Sequence, residues 1–407
     1  MSTTTSVISF DQLHEACSPG GASVLTSVTP LEPAAGPHAS VAPAKFSHKD
    51  EKDKKGKPVF AYERRFHEGL PVKVVLIDSK QSQNNRCEAA LSAAIAAGDP
   101  LLARIPRIRL EYENGPTLTD LDLPHRAFDG QIRAGAIDGQ SATKDSRYRA
   151  LRDATVGDAR ALIETSPVTL IFGGWDALRK SHQGRYRSIL VGEIIGILAD
   201  QEGSAIENQS MRGGARIDPL GAQIDLSHKD LTAIADQQKE ELSEKTYKTI
   251  TGSRGKSAHL GLGGLPPTLG QLGGVTCRSI IRSHVLSFAA LRNLRFGSAT
   301  PEGDVACRMV LAALALDALA RSDAELLLRA NCDLVEAGPS VVTLDQRYGN
   351  KLELAPMTIA QADELFAKTL AYAEEHAGLQ WQGVTLVVEG NRAVLAAAGD
   401  TDGEEDV

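Results

Sequence analysis

Two observations predict an α+β fold for this sequence. Short β-branched runs, such as the apolar segment 72–78, read as buried strands. They alternate with stretches of helical periodicity, such as 186–199, where Tyr186, Ile189, Leu190, Ile194 and Leu198 recur on one face. A sheet covered by helices, an α+β or α/β sandwich, accommodates both patterns. At 407 residues the chain is long enough for a large core, in two domains or one elaborated domain.

The elements follow in order. Residues 1–58 are expected as an N-terminal extension. Within it, 18–58 reads as a solvated linker rich in Pro, Gly, Ala and Ser that ends in a mixed-charge run. The strand 72–78 leads through a polar loop, 79–85, into a helix over 86–97 closed by Gly98. Strands are expected at 107–112 and 167–172, with a sharp turn at Gly173-Gly174-Trp175-Asp176 before the helix over 186–199. Segments 275–294 and 304–320 read as helices, the second apolar enough to be buried. Thr358 and Gln361 form a capping box that opens a helix to about His376, and 384–388 is a last strand. The polar segments 113–160 and 203–265 lack periodicity and read as insertions in a core spanning 59–390. Residues 391–407 form an acidic, disordered tail.

Charge is the most informative functional signal. The chain is acidic, with 52 Asp and Glu against 44 Lys and Arg and a net charge of −8, which speaks against a generic nucleic-acid coat. Yet no acid occurs between Glu244 and Glu302, where Lys245, Lys248, Arg254, Lys256, Arg278, Arg282, Arg292 and Arg295 all lie. Such a surface has no local carboxylate to neutralise it and suits a polyanion. Glycines crowd the same stretch and allow backbone to approach a ligand. In the helix reading, Arg278 and Arg282 share one face.

Two strand-to-helix junctions look alike. One carries Ser82, Asn84, Asn85 and Arg86; the other carries Arg179, Lys180, Arg185 and Arg187. Helix N-termini favour anions and disfavour cations, so cations there are informative. Aromatics are only 4% of residues, so base stacking is sparse, with Trp175 the main candidate and Phe172 assigned to the core. No RNP-type signature is present, and backbone-directed binding without sequence reading fits better.

Other chemistry finds little support. Gly252-Ser-Arg-Gly-Lys-Ser257 has too few residues between its glycines for a phosphate loop. His125, His182, His259 and His284 have no ligand-type spacing, and five scattered cysteines suggest reduced thiols and no zinc site. Neither a cofactor, a metal nor a catalytic constellation is expected. No apolar run is long enough for a membrane span and no signal peptide is evident, so a cytoplasmic setting is expected.

A set of motifs occurs in a telling order: Asp78-Ser-Lys-Gln-Ser-Gln-Asn-Asn-Arg-Cys-Glu88, Phe172-Gly-Gly-Trp-Asp176, Arg185-Tyr-Arg-Ser-Ile-Leu-Val-Gly-Glu-Ile-Ile-Gly196, Arg216-Ile-Asp-Pro-Leu-Gly221, and Leu265-Pro-Pro followed by Gly273-Gly-Val-Thr276. Together they resemble the backbone ("Cas-seven") subunit of type I-G CRISPR surveillance complexes, formerly type I-U, in the RAMP superfamily. The likeness runs from about residue 60 to residue 390. It implies a modified RRM-like (ferredoxin-like) palm with inserted finger and thumb segments. It also implies copies stacked head to tail along a CRISPR RNA, leaving bases to pair with target DNA. A Cas-five/Cas-six-type subunit and a large subunit are the implied partners, without a membrane.

By motif position the resemblance makes Ser82, Asn85, Arg86, Trp175, Arg179, Arg185 and Arg187 candidate RNA contacts. Lys180, Lys256, Arg278 and Arg282 join them from the charge reading. A rival reading is a type III-like backbone subunit that cuts target RNA with a metal and a loop aspartate, for which Asp129, Asp138 and Asp176 are available. A weaker rival is a stand-alone protein that binds a phosphate ligand.

Overall fold

The computed structural model describes residues 6–48, 57–176, 178–179, 184–214, 224, 226–262 and 268–399. Helix and strand mix throughout, and the chain divides into two units, one of 1–209 with 274–390 and one of 210–273 with 391–407.

The first unit is built on an antiparallel sheet. Six elements define it in chain order: β1 (Val24–Pro33), α1 (Lys80–Ala96), β2 (Leu190–Leu198), β3 (Cys277–Ser287), α2 (Pro301–Ala324) and β4 (Val341–Asp345). In space the strands run β4-β1-β3-β2, every neighbour antiparallel. Strand Leu70–Asp78 and then Tyr62–His67 continue the sheet beyond β2, and Lys351–Leu354 extends it beyond β4.

One sheet face is covered. Leu25, Ser27, Thr29 and Leu31 of β1 are buried and alternate with exposed Val28, Pro30 and Glu32. They stand opposite Leu286, His284, Arg282 and Ile280 on β3. Both α1 and α2 lie on this side, because Gln83 of α1 and Ser322 of α2 bond the same buried Arg282. Helix α2 is buried along nearly its whole length, as its mainly apolar sequence requires. A further helix, α3 (Ile359–Ala377), packs against it. Thr358 caps α3 through its capping box, as the sequence predicts. A second sheet pairs Arg107–Glu111 in parallel with Val384–Glu389.

Glycine sets the spacing at the sheet centre. A Cβ on Gly192 of β2 would lie 2.1 Å from the ring of His284, its partner across the ladder. That imidazole is buried, and burial pushes its pKa down to about 3, so it is a neutral core group. All five cysteines are buried and free, and burial pushes the thiols of Cys17, Cys87, Cys277 and Cys307 up to about 12. Among the described residues no helix is long and apolar enough to cross a membrane.

Several sequence expectations are corrected. The segment 18–58, expected as a linker, contains β1, an interior strand of the main sheet. Its prolines are tolerated by position. Pro30 falls where pairing to β4 has ended at Val28 and pairing to Leu334–Glu336 has yet to begin at Leu31, so no ladder donor is missing. The helix expected over 186–199 is strand β2 instead. Leu190, Ile194 and Leu198 are four apart, and four is an even number, so a helical face and a strand face match equally well. The helix expected over 275–294 is β3 followed by a single helical turn, Phe288–Leu291. Segment 167–172, expected as a strand, is a helix with Pro167 at its start; six consecutive buried residues carry no period to decide between the two. Helix α1 starts six residues earlier than expected, with Ser79 as its cap.

The second unit contains helices His228–Gln237 and Glu244–Thr251, each capped by a serine side chain, Ser227 and Ser243. Of the tail expected to be disordered over 391–407, the first part is instead a helix, Arg392–Gly399, while 400–407 and the Arg216–Gly221 motif lie outside the described residues.

Replacing Gly192 with alanine forces a methyl group into the His284 ring and should cost about 1–3 kcal/mol of stability. The check is a denaturant midpoint for Gly192→Ala beside the wild type; an unchanged midpoint contradicts the close packing.

Candidate nucleic-acid interface

The site is assembled by one sharp turn. Helix Pro167–Phe172 stops at Gly173, which adopts φ +91, a conformation that strains any residue with a side chain. The chain then forms a two-rung hairpin, Gly174–Trp175 with Arg185–Tyr186, in which Trp175 faces Arg185 across the pair. Gly174 lies so close to Phe128 that a Cβ would meet the ring at 2.9 Å. Three bonds fix the hairpin base. The Ile189 amide donates to the Ile171 carbonyl at 2.8 Å, the Ser188 hydroxyl to the Phe172 carbonyl at 2.6 Å, and the Asp176 amide to the Gly184 carbonyl at 2.9 Å.

A buried relay holds this helix to the segment beneath. The Ser166 hydroxyl donates to Asp120, the Ser166 and Thr169 hydroxyls meet at 2.7 Å, and the Ala127 amide donates to Thr169 at 3.2 Å. Next to Ala127, Arg126 donates to buried Glu88 at 2.6 Å and to the Gly173 carbonyl at 3.0 Å. Its guanidinium also lies 5.6 Å from the centre of the Phe172 ring. Phe128 stacks on Tyr186 with centroids 6.0 Å apart.

These residues enclose a hollow of about 570 Å³. Val156, Leu170, Ile189 and Leu294 give it apolar walls, Phe172, Trp175 and Tyr186 aromatic ones, and Arg126, Arg185, Arg187 and Asn293 polar ones. A second hollow of about 580 Å³ adjoins it, sharing Val156, Arg185 and Tyr186 and adding Arg152 and Arg179. Trp175 is 51% exposed, with the Arg185 guanidinium 5.4 Å from its ring centre. Arg185 and Arg187 are both exposed, and among the described residues neither is paired with a carboxylate. The Tyr186 hydroxyl is buried and has no hydrogen-bond partner among the described residues, and burial raises its pKa. An exposed indole flanked by unneutralised guanidiniums suits a strand with bases and phosphates.

The other candidates fall elsewhere. Arg179 borders the second hollow but is held by Asp153 at 3.0 Å, Asp176 at 3.7 Å and the Arg152 carbonyl at 2.8 Å. Lys180 lies outside the described residues. Ser82 is in the first turn of α1 and donates its amide to Ser79; Asn85 is exposed on the same helix. Arg86 is committed to buried Asp78 at 3.0 Å and to the Leu327 carbonyl. Asn84 reaches Ser188 at 3.3 Å, which links the first junction to the base of the hairpin. Lys256 is exposed in the second unit.

The charge reading needs its largest correction at β3. Arg282 is only 3% exposed, ion-paired with Asp323 at 2.5 Å and bonded to Gln83 and Ser322, so it is a core residue and not a surface contact. Arg295 pairs with Asp304, Arg292 donates to the carbonyls of Ala16 and Ala22, and Lys248 pairs with Glu244. Their partners come mainly from α2 and the N-terminal segment, which an acid count in a local window does not see. Arg278 stays exposed because of a register shift. Leu198 faces Cys277 and Ile197 faces Ser279, so Arg278 is an extra residue, out of phase with Arg282.

The three loop acids are separately employed. Asp129 caps the helix Gly130–Ala134, Asp176 is buried against Arg133 at 3.0 Å, and Asp138 is exposed beside Arg147 at 2.6 Å. Among the described residues, no three His, Cys, Asp or Glu side chains converge as metal ligands. Tyr186 and Asn293 escaped the sequence reading. Tyr186 reads there as part of a helix face, and nothing local joins Asn293 to the hairpin.

Residues 25–201 match the family model for CRISPR-associated protein GSU0053 (Cas_GSU0053). Over those residues the chain is similar to a CRISPR-associated family. It covers less than half of the chain, but it contains the whole hairpin and both hollows' aromatic residues. It also begins in β1, well before the point near residue 60 where the motif likeness starts. No curated protein matches the chain.

Asp120 supplies a test of the scaffold. Burial raises its carboxyl from 3.8 to about 7, so the folded protein holds a proton that the unfolded chain releases. Its stabilising contribution is complete below pH 3.8 and is lost as pH rises towards about 7. Asp120→Asn should flatten the pH dependence of stability over that window. Urea midpoints at about pH 5 and about pH 8 give the comparison, and an unaltered slope contradicts the assignment.

Proposed function

We propose that this chain is a CRISPR-RNA-binding backbone subunit of a type I-G surveillance complex. Several copies stack head to tail along the guide spacer and leave its bases free to pair with target DNA. A Cas-five/Cas-six-type subunit and a large subunit complete the assembly, which acts in the cytoplasm. Sequence reading belongs to base pairing, and the protein grips the strand.

One observation carries the reading: Arg185 and Arg187 stand exposed and unneutralised beside Trp175, within the segment that matches the CRISPR-associated family. Two further points support it. The chain order β1-α1-β2-β3-α2-β4 with spatial order β4-β1-β3-β2 suits a ferredoxin-like palm. Asp129 and Asp176 are already used in capping and ion pairing, which favours a binding role over catalysis.

Reversing both charges, Arg185→Glu with Arg187→Glu, should lower the RNA that co-purifies with the protein. Replacing both with alanine should make the salt dependence of binding shallower by roughly two in log–log slope. Unchanged RNA content and slope contradict the proposal. The non-catalytic part is tested separately by incubating the assembled complex with complementary RNA and magnesium. Intact RNA is expected; regularly spaced cuts that disappear in Asp138→Ala overturn it.

A further inference from the structure

We propose that α2 and α3 are joined by a shared proton, held between the carboxyl groups of Asp317 and Asp363 beside Arg321. The seating of α3 on α2 is thereby a pH-responsive device built into the fold, independent of the RNA-binding reading.

Charge balance points to it. Arg321, in the last turn of α2, donates Nε to Asp317 at 2.6 Å, and Nη2 to Asp363 at 2.5 Å and to Asp99 at 3.1 Å. The acids come from three places: one turn back on α2, the start of α3, and just past the end of α1. The guanidinium side chain is 12% exposed and that of Asp317 is 0% exposed. One cation among three carboxylates leaves negative charge uncompensated where water is scarce, and a bound proton relieves it.

An unbonded atom marks where the proton sits. Asp99 is committed as a carboxylate, because its other oxygen accepts the amides of Leu101 at 2.9 Å and Leu102 at 3.0 Å. Asp317 spends Oδ1 on Arg321, while its Oδ2 is buried with no hydrogen-bond partner among the described residues. Asp363 lies within bonding range of Asp317, and two carboxyl groups bond to each other only when one is protonated. Burial, and next the bond to Asp363, raise the Asp317 carboxyl above its usual range despite Arg321.

The other elements around α2 bring no charge that replaces the proton. The last turn of α1, 93–96, has no ionisable side chain. Helices Pro167–Phe172 and Phe288–Leu291 have none either. On α3, Glu364 pairs with Lys368 in solvent. On the sheet side Arg282 pairs with Asp323, and the N-terminal helix Phe10–Cys17 meets the far end of α2 through His14 and Glu302.

The sign follows from linkage. In the unfolded chain the Asp317 carboxyl titrates at its ordinary 3.8, below its folded value. The stabilising contribution of the proton is complete below pH 3.8 and is lost as pH rises through the raised value. Beyond that, two like charges face each other across α2 and α3.

The test uses the full chain carrying Asp120→Asn, which silences a second buried acid, and follows hydrogen exchange of α3 amides from about pH 4 to about pH 8. The comparison adds Asp317→Asn, whose amide stays uncharged and still donates to Asp363. After correction for intrinsic exchange, protection in the parent should fall relative to this variant by about tenfold per pH unit, then level off once Asp317 ionises in the folded state. Asp363→Asn should give the same comparison, and it replaces Asp317→Asn should that variant not fold. At about pH 6 the infrared band of a protonated carboxyl should be weaker in Asp317→Asn than in the parent. Parallel exchange profiles in parent and variants, or identical infrared spectra, overturn the shared proton.

Discussion

Arg282 is the interaction on which the main fold depends. It projects from β3 into the helix-covered face, opposite Thr29 on β1 and Ile194 on β2, and takes Gln83 from α1 and Ser322 and Asp323 from α2. Elements far apart in sequence therefore meet on one guanidinium. The chain of bonds runs further: Gln83 donates to Asp78, which also receives Arg86 and Arg329. Losing one member of a buried ion pair typically costs about 3–5 kcal/mol, because its partner is stranded without water. Asp323 is pushed up to about 6 even beside Arg282, so desolvation outweighs the attraction there. Such a network is better understood as specifying how the helices seat on the sheet than as a large source of stability.

The same economy of charge leaves the hairpin distinctive. Nearby acids are already engaged: Asp176 with Arg133 and Arg179, Asp153 with Arg152 and Arg179, and Glu88 with Arg126. Arg185 and Arg187 remain beyond their reach on a backbone that Gly173 and Gly174 bring close to Phe128 and Ser188. Rigid support beneath and unneutralised charge above are what a strand-gripping surface requires.

Some of this was legible in the sequence. Strand Leu70–Asp78 is a short β-branched run, α2 is a mainly apolar run too long for a strand, and α3 combines a helical period with a capping box. Trp175, Arg185 and Arg187 stood out as a motif and do come together. The failures have physical causes. Spacings of four residues fit both periods in β2, and Pro30 hid an interior strand because its missing donor falls in a gap of the ladder. Arg282 looked exposed because Asp323 lies on a different element. Ion pairing is a tertiary property, and a sequence window measures only composition.

The extra residue at Arg278 has a consequence for how this protein can vary. Leu198 and Ile197 are consecutive, yet their partners Cys277 and Ser279 are two apart, so Cys277 and Ser279 lie on opposite faces of the sheet. A chain one residue shorter here would keep both pairings and lose only the bulge, and exchanging the arginine for another residue would turn nothing. Length at this point is therefore freer by one residue than elsewhere on the strand. Related chains should be aligned across it by counting rungs and not by matching letters.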